Sequence, residues 1–141
     1  MRVLLDTNIV SELRKGQRAA PAVLAWRKGV RTSESHLSVI TLLELALGIA
    51  LKARKDVQAG QSLQSWYEHK LKPSFAGRIL PLDEAIAERA AVLQADRSRP
   101  SNDALIAATA LVHDLVLVTR NVRDFEGIVD LQLVDPWSQG R

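Results

Sequence analysis

The stretch Val3-Leu4-Leu5-Asp6-Thr7-Asn8 decides how this chain of 141 residues folds. Its three apolar residues indicate a short buried strand, and the abrupt change to Asp-Thr-Asn is typical of a turn or a helix cap. The chain is therefore expected to begin with a core strand that is followed at once by a carboxylate.

Downstream of this stretch, short apolar runs alternate with segments of helical periodicity. Strands are predicted at 37–39, 79–80, 115–119 and 129–133. Helices are predicted at 41–52, at 56–71, from a cap at Asp83 to the loop at 97–100, and at 103–113. Pro73 is expected to mark the end of the second helix, and Ser101 or Asn102 to cap the last. Alternation of this kind predicts an α/β sandwich with a largely parallel sheet.

The composition limits the kind of protein this is. A hydrophobic content of 47% over 141 residues suits one domain, 1–141, with a substantial core. The absence of cysteine excludes disulfides, thiolate catalysis and zinc–thiolate sites, and it agrees with a reducing cytoplasm. No signal peptide or membrane-spanning run is expected, and the formal charge of +3 is compatible with an anionic partner without requiring one.

Four acidic residues, Asp6, Glu44, Asp103 and Asp124, are placed where predicted strands end or helices begin. In a parallel sheet these positions share the edge beyond the carboxyl ends of the strands, where ligands bind. Carboxylates in one partly desolvated pocket repel each other, because two like charges ~4 Å apart interact by ~4 kcal/mol at an effective dielectric constant of ~20. A cation resolves this repulsion, so the four acids together predict a metal site.

Each acid also has a purely structural explanation. Asp6 and Asp103 are favoured at the start of a helix whether or not they bind metal. Glu44 completes a Thr41-x-x-Glu44 capping box, and Asp124 suits a turn. These alternatives stay open for each residue taken singly, and only the joint placement of the four favours metal binding.

The ion expected at this site is Mg²⁺ or Mn²⁺. The available donors are oxygens, since the chain has no cysteine and its three histidines show no ligand spacing. A Mg²⁺ ion held by few carboxylates keeps water ligands and binds substrate phosphate. That arrangement is typical of metal-assisted phosphodiester hydrolysis.

Segments along nearly the whole chain resemble the PIN-domain ribonucleases, and in particular the VapC toxin family. The segments are VLLDTN from Val3, TLLEL from Thr41, DALIAATA from Asp103 and VTRNVRDF from Val118. The run FAGRILP from Phe75 and the sequence DPW at 135–137 are similar to the FitB-type branch of that family. The resemblance implies a PIN-like three-layer α/β/α sandwich around a largely parallel sheet.

The same resemblance implies roles for individual residues. Asp6, Glu44 and Asp103 match the acids that hold the metal, and Asp124 matches an acid that precedes phenylalanine. FitB-type members can carry an acid directly after the arginine, where this chain has Asn121, so the fourth role is divided between Asp124 and Asn121. The polar neighbours expected to orient carboxylates or waters are Thr7, Asn8, Thr119 and Asn121.

The activity implied by the resemblance is that of a Mg²⁺- or Mn²⁺-dependent ribonuclease, the toxin of a cytoplasmic toxin–antitoxin pair. A small antitoxin, which commonly also binds operator DNA, would inhibit it. A homodimer and a hetero-oligomer with the antitoxin are expected. RNA as the substrate comes from the resemblance, because the residues alone predict only a site suited to phosphodiesters with basic flanks at Arg120 and Arg123.

Two other functions compete with this one. A PIN-like module without catalysis would act as a corepressor together with a DNA-binding partner, but the retention of all the matched acids argues against it. Phosphotransfer enzymes of the haloacid dehalogenase or receiver type also place an aspartate after the first strand. The dehalogenase pattern requires a second aspartate at the position where this chain has Asn8.

Overall fold

The first strand lies at the centre of the sheet, as the opening stretch predicts. In the computed structural model, which describes residues 1–138, β1 covers Val3–Leu5 and all three of its residues are buried. It pairs in parallel with a strand on each side. Residues 139–141 of the domain predicted over 1–141 lie outside the described residues.

The other elements follow the predicted alternation. The strands are β2 (Ser35–Ser38), β3 (Ile79–Leu80), β4 (Val116–Val118) and β5 (Leu133–Val134). The helices are α1 (Thr7–Leu13), α2 (Pro21–Lys28), α3 (Val39–Lys55), α4 (Val57–Trp66), α5 (Lys72–Ser74), α6 (Glu84–Asp96) and α7 (Ser101–Val112). A π-helical turn at Tyr67–Leu71 joins α4 to α5, and a 3₁₀ turn at Val122–Phe125 follows β4.

The sheet is parallel, with the strand order β3-β2-β1-β4-β5, and helices cover both of its faces. Successive side chains of a strand point to opposite faces. Leu4 accordingly joins a core cluster with Ile86 of α6 and Ile106 of α7, whereas Leu5 joins a second cluster with Ile9 of α1. This three-layer α/β/α arrangement confirms the predicted fold class.

Two helices begin earlier than predicted. The strand predicted at 37–39 ends at Ser38, which caps α3 by accepting a hydrogen bond from the Ile40 N–H (3.0 Å), so the helix begins at Val39. The last long helix begins at Ser101, so neither Ser101 nor Asn102 is its cap. Each of these helices therefore begins two residues before its predicted start.

Two further differences concern proline and the last strand. Pro73 lies one residue before the end of the helical segment, which runs from α4 through the π-helical turn to Ser74, so the helix predicted at 56–71 extends three residues further than expected. The strand predicted at 129–133 is reduced to Leu133–Val134, because Asp130 takes a left-handed backbone conformation (φ 69°) that interrupts extended structure. No helix among residues 1–138 is long and apolar enough to span a membrane.

The strand order reverses beside β1, which locates the site. The chain proceeds outward from β1 to β2 and β3, and β4 then pairs on the other side of β1. Connections diverge at such a point and leave a crevice beyond the carboxyl ends of the strands, where α/β sheets bind ligands. Asp6 follows β1 and Thr119 follows β4, so both residues border this crevice.

Candidate active site

Asp6 leaves β1 at the crevice and caps α1. Its backbone N–H donates to a carbonyl of β4 (2.9 Å), and its Oδ1 accepts from the Thr7 N–H (2.8 Å). The residue is only 7% exposed. Burial raises the pKa of Asp6, hydrogen bonds from Thr119 and Thr7 oppose the increase, and the charges of Glu44 and Asp124 add to it. Asp6 therefore combines the predicted capping role with a place among the acids.

Thr119 holds the second carboxylate oxygen of Asp6. Its hydroxyl donates to Oδ2 of Asp6 (2.8 Å) and accepts from Nδ2 of Asn8 (3.3 Å) and from the Asn121 N–H (3.1 Å). One donor and two acceptors are all that a hydroxyl offers, so the buried Thr119 is fully satisfied. Asn8 also accepts from the Arg120 N–H (3.2 Å) and donates to Oδ2 of Asp6 (3.4 Å). The structure thus brings two of the predicted polar neighbours to Asp6.

Glu44 lies in the second turn of α3 and is held by polar side chains from two other helices. Its Oε1 accepts from the Thr7 hydroxyl (2.6 Å), and its Oε2 accepts from Nδ2 of Asn102 (3.5 Å). The capping-box alternative is wrong, because α3 begins at Val39 and Thr41 lies inside the helix. Glu44 consequently has no capping function that accounts for its position at the crevice.

Asp103 lies in the first turn of α7, at the same crevice. Burial raises the pKa of Asp103 to about 6, together with repulsion from Asp124, Asp6 and Glu44, while Arg99 opposes the increase. The carboxylate of Asp103 therefore lies within electrostatic reach of the other three acids.

Asp124 lies on the 3₁₀ turn Val122–Phe125 and is exposed. Its charge raises the pKa of both Asp6 and Asp103, so its carboxylate acts on the crevice. Asn121 immediately precedes this turn and is also exposed. The division of the fourth role between the two residues stays a prediction, and the electrostatic coupling favours Asp124.

The potential ligand atoms at this edge of the sheet are of the kind that a hard divalent cation prefers. All four acids offer oxygen, and burial with mutual repulsion raises the pKa of Asp6 and Asp103, a condition that a cation relieves. Within residues 1–138, no three Asp, Glu, His or Cys side chains lie close enough together to hold an ion as they stand. Joint ligation of one ion therefore requires the carboxylates to lie closer together than they do in this arrangement.

Two residues at the site were not predicted to act there. Asn102 donates to Glu44, and its place directly before Asp103 is the signal that would have located it. Arg99 lowers the pKa of Asp103, and its Nε and Nη1 atoms are buried without hydrogen-bond partners among the described residues. The sequence around Arg99 reads as an ordinary basic loop and carries no comparable signal.

The raised pKa of Asp103 predicts how stability depends on pH in the absence of divalent ions. Its folded-state pKa of about 6 lies above the ordinary value of 3.8, so the folded chain binds more protons than the unfolded chain between these values. Stability contributed by protonated Asp103 is therefore lost as the pH rises from about 4 through about 6. Melting temperatures measured in chelator across this window should show that loss in the wild type and a smaller one in Asp103→Asn.

A matched control for this comparison is Asp96→Asn, which removes an exposed carboxylate at the end of α6. This variant should follow the wild-type pH profile. A profile for Asp103→Asn that coincides with the wild type would contradict the assignment of a raised pKa to Asp103.

Comparison with known proteins agrees with this architecture. The model of the PIN domain family matches residues 3–129. Toxin FitB of Neisseria gonorrhoeae (strain ATCC 700825 / FA 1090) is 36% identical, with 96% of this chain and 98% of FitB covered. VapC ribonuclease Y4jK of Sinorhizobium fredii (strain NBRC 101917 / NGR234) is 34% identical, with 96% of this chain and 97% of Y4jK covered. The chain therefore aligns with both relatives over nearly their whole lengths.

The fold is also similar to that of a solved complex. A structure of FitAB bound to an IR36 DNA fragment superposes with a TM-score of 0.81 at 32% identity. The superposition covers 99% of this chain and 98% of the matched chain. The similarity therefore extends from sequence motifs to the complete arrangement of helices and strands.

Proposed function

This chain belongs to the PIN-domain family, and we propose from that membership that it is a ribonuclease and the toxin of a toxin–antitoxin pair. The observation that carries the activity is the convergence of Asp6, Glu44, Asp103 and Asp124 at the crevice beyond β1 and β4. A relative that is named a VapC ribonuclease, 34% identical over nearly the full length, supports RNA as the substrate. Hydrolysis of cellular RNA implies action in the cytoplasm.

The reaction depends on Mg²⁺ or Mn²⁺, for which Asp6 and Asp103 are the principal ligands and Glu44 and Asp124 the others. The chemistry that such an ion supplies when bound is polarisation of the scissile phosphate and activation of water for in-line attack. The chain's own hydroxyl groups hold the carboxylates in place. Thr119 fixes one oxygen of Asp6, and polar groups of this kind around ligands set the orientation on which metal sites depend.

The partner of this toxin is a small antitoxin that binds operator DNA. Support comes from the relative that is called a toxin and from the FitAB complex on DNA, which has the same fold. A homodimer is part of the same proposal. It is supported by an apolar stripe on α3 formed by Leu43, Leu47 and Leu51, which are each more than half exposed and spaced by four residues.

The activity is tested with purified chain that has been separated from any antitoxin. RNA should be cleaved in the presence of Mg²⁺ or Mn²⁺, cleavage should stop with chelator, and activity should return when the ion is restored. Cleavage that chelator does not affect would contradict the metal dependence. If no RNA in a transcriptome-wide panel were cut, the chain would instead be the non-catalytic corepressor module.

Thr119 provides a finer test of the site. Thr119→Val removes the hydroxyl that holds Oδ2 of Asp6, and we expect kcat/KM for RNA cleavage to fall about 10- to 100-fold, the usual cost of removing a group that orients a metal ligand. Thr119→Ser keeps the hydroxyl and should retain most of the activity. Full activity in Thr119→Val, or an equal loss in both variants with unchanged melting temperatures, would contradict the assignment of the effect to the hydroxyl group.

A further inference from the structure

A groove beside the carboxylates has no role in the function described above. It lies between α1, α3 and the end of α4, and it consists of three adjoining cavities that all share Arg14 and Trp66 as lining residues. We call it the Arg14–Trp66 groove. The three cavities therefore adjoin one another at the Arg14–Trp66 pair.

One end of this groove opens at the acidic site. Thr7 and Glu44 line the same cavity as Arg14 and Trp66, and that cavity has a volume of about 360 Å³. This lies within the range of small-ligand sites, roughly 300–1,000 Å³. Apolar side chains, among them Leu63, complete its lining. A nucleotide whose phosphate lies at the carboxylates therefore has room for its base against Trp66.

The charge of the groove favours a polyanion. Its three cavities are lined by Arg14, Lys15, Arg27 and Lys70, whereas Glu44 is the one acidic residue in their linings. Within residues 1–138, neither Arg14 nor Lys70 forms an ion pair with an acidic side chain. Their charges are therefore available to phosphates.

The aromatic group in the groove is paired with a cation. The Arg14 guanidinium lies 5.9 Å from the centre of the Trp66 ring, and Trp66 is half-buried. Aromatic side chains that interleave with basic ones are the usual means of binding single-stranded nucleic acid, because bases stack on the rings while cations follow the phosphates.

We propose that the Arg14–Trp66 groove binds the single-stranded RNA segment next to the cleaved bond, with one base stacked on Trp66 and a neighbouring phosphate on Arg14. This inference rests on the proposed ribonuclease function and adds the residues that position its substrate. Stacking accepts any base, so the groove contributes affinity and register rather than a strict base preference.

The test uses a short single-stranded RNA that spans a bond cleaved by the wild type. Binding is measured by fluorescence anisotropy in chelator, so that the RNA stays intact. Trp66→Ala should weaken binding at least about tenfold, the order expected for one lost base stack, and Trp66→Phe should restore most of it. Arg14→Ala should also weaken binding and reduce its salt dependence by about one phosphate contact.

Arg54→Ala is the charge-matched control for Arg14. Arg54 lies in the last turn of α3, which begins at the crevice and extends about 25 Å away from it over its 17 residues. The variant should bind the RNA as the wild type does. A loss equal to that of Arg14→Ala would reduce the role of Arg14 to a general effect of net charge and overturn its part in the proposal.

A series of RNAs with one abasic nucleotide at successive positions separates stacking from a change in protein structure. At the stacked position, loss of the base should weaken binding to the wild type as much as Trp66→Ala does, and it should cause no further loss in that variant. If the loss caused by removing the base and the loss caused by Trp66→Ala add at every position of the RNA, the proposal is overturned.

Two other outcomes distinguish failure of this inference from failure of the proposed function. If Trp66→Ala binds RNA as the wild type does but no longer co-purifies with the antitoxin, the groove holds a protein segment and this inference fails alone. If the wild type neither binds nor cleaves RNA, the proposed function itself fails.

Discussion

RNA cleavage should fall by at least about a hundredfold when Asp6 is replaced by asparagine. Removing a group that merely orients a metal ligand costs about 10- to 100-fold, so the loss of a ligand itself should reach at least the upper end of that range. The fold should persist, because asparagine keeps an oxygen for the Thr7 N–H, although its amide nitrogen replaces the oxygen that accepts from Thr119 and Asn8. Since burial raises the pKa of Asp6, the neutral side chain removes a desolvation cost that offsets the lost hydrogen bonds to Oδ2, and melting temperatures in chelator should change little.

Asp6→Asn is compared with Asp96→Asn, which changes the same chemical group at an exposed position on α6 and should leave cleavage unaltered. All three proteins are purified in parallel and assayed with the same RNA. Equal degradation by the wild type and Asp6→Asn would identify the activity as a contaminating nuclease and remove Asp6 from the site.

Glu44→Gln should produce the second large effect, a decrease in kcat/KM of at least about tenfold at saturating Mg²⁺. Glutamine retains an oxygen for the Thr7 hydroxyl but carries no charge for a cation. Because Ser38 caps α3, the helix does not depend on Glu44, and its stability should change by much less than the ~1 kcal/mol that loss of a cap typically costs.

Cleavage and thermal unfolding of Glu44→Gln are measured on the same preparation. Activity close to that of the wild type would exclude Glu44 as a ligand, and the site would then consist of Asp6, Asp103 and Asp124. A matching control is Glu88→Gln on the exposed face of α6, which should alter neither quantity.

The acidic residues at the edge of the sheet could be predicted because short, local sequence patterns determine where they lie. Asp6 directly follows an apolar strand, and Asp103 lies in the first turn of a helix that is apolar on almost every side, so their placement depends on short sequence patterns. The parallel order of the strands then brings such positions together. For the same reason, the family resemblance and the observed fold agree over nearly the whole chain.

Other features depend on contacts that a local pattern does not contain. The sequence Thr41-x-x-Glu44 matches a capping box, but Ser38 caps the helix, which begins at Val39, two residues before Thr41. The strand predicted at 129–133 is not formed near Val129 because Asp130 takes a positive φ. The alternation of apolar and polar residues carries no information about that backbone angle. Arg14 and Trp66 are more than fifty residues apart in the chain, and only the packing of α1 against the end of α4 brings them together.

The central claim is that the four carboxylates hold a divalent cation, and binding of Mn²⁺ monitored by electron paramagnetic resonance tests it most directly. Titration of the wild type near neutral pH should remove free Mn²⁺ from solution with saturable stoichiometry. Asp6→Asn and Asp103→Asn should each weaken that binding at least about tenfold, and Asp96→Asn should not. Equal binding of Mn²⁺ by all four proteins, or by none of them, would contradict the account.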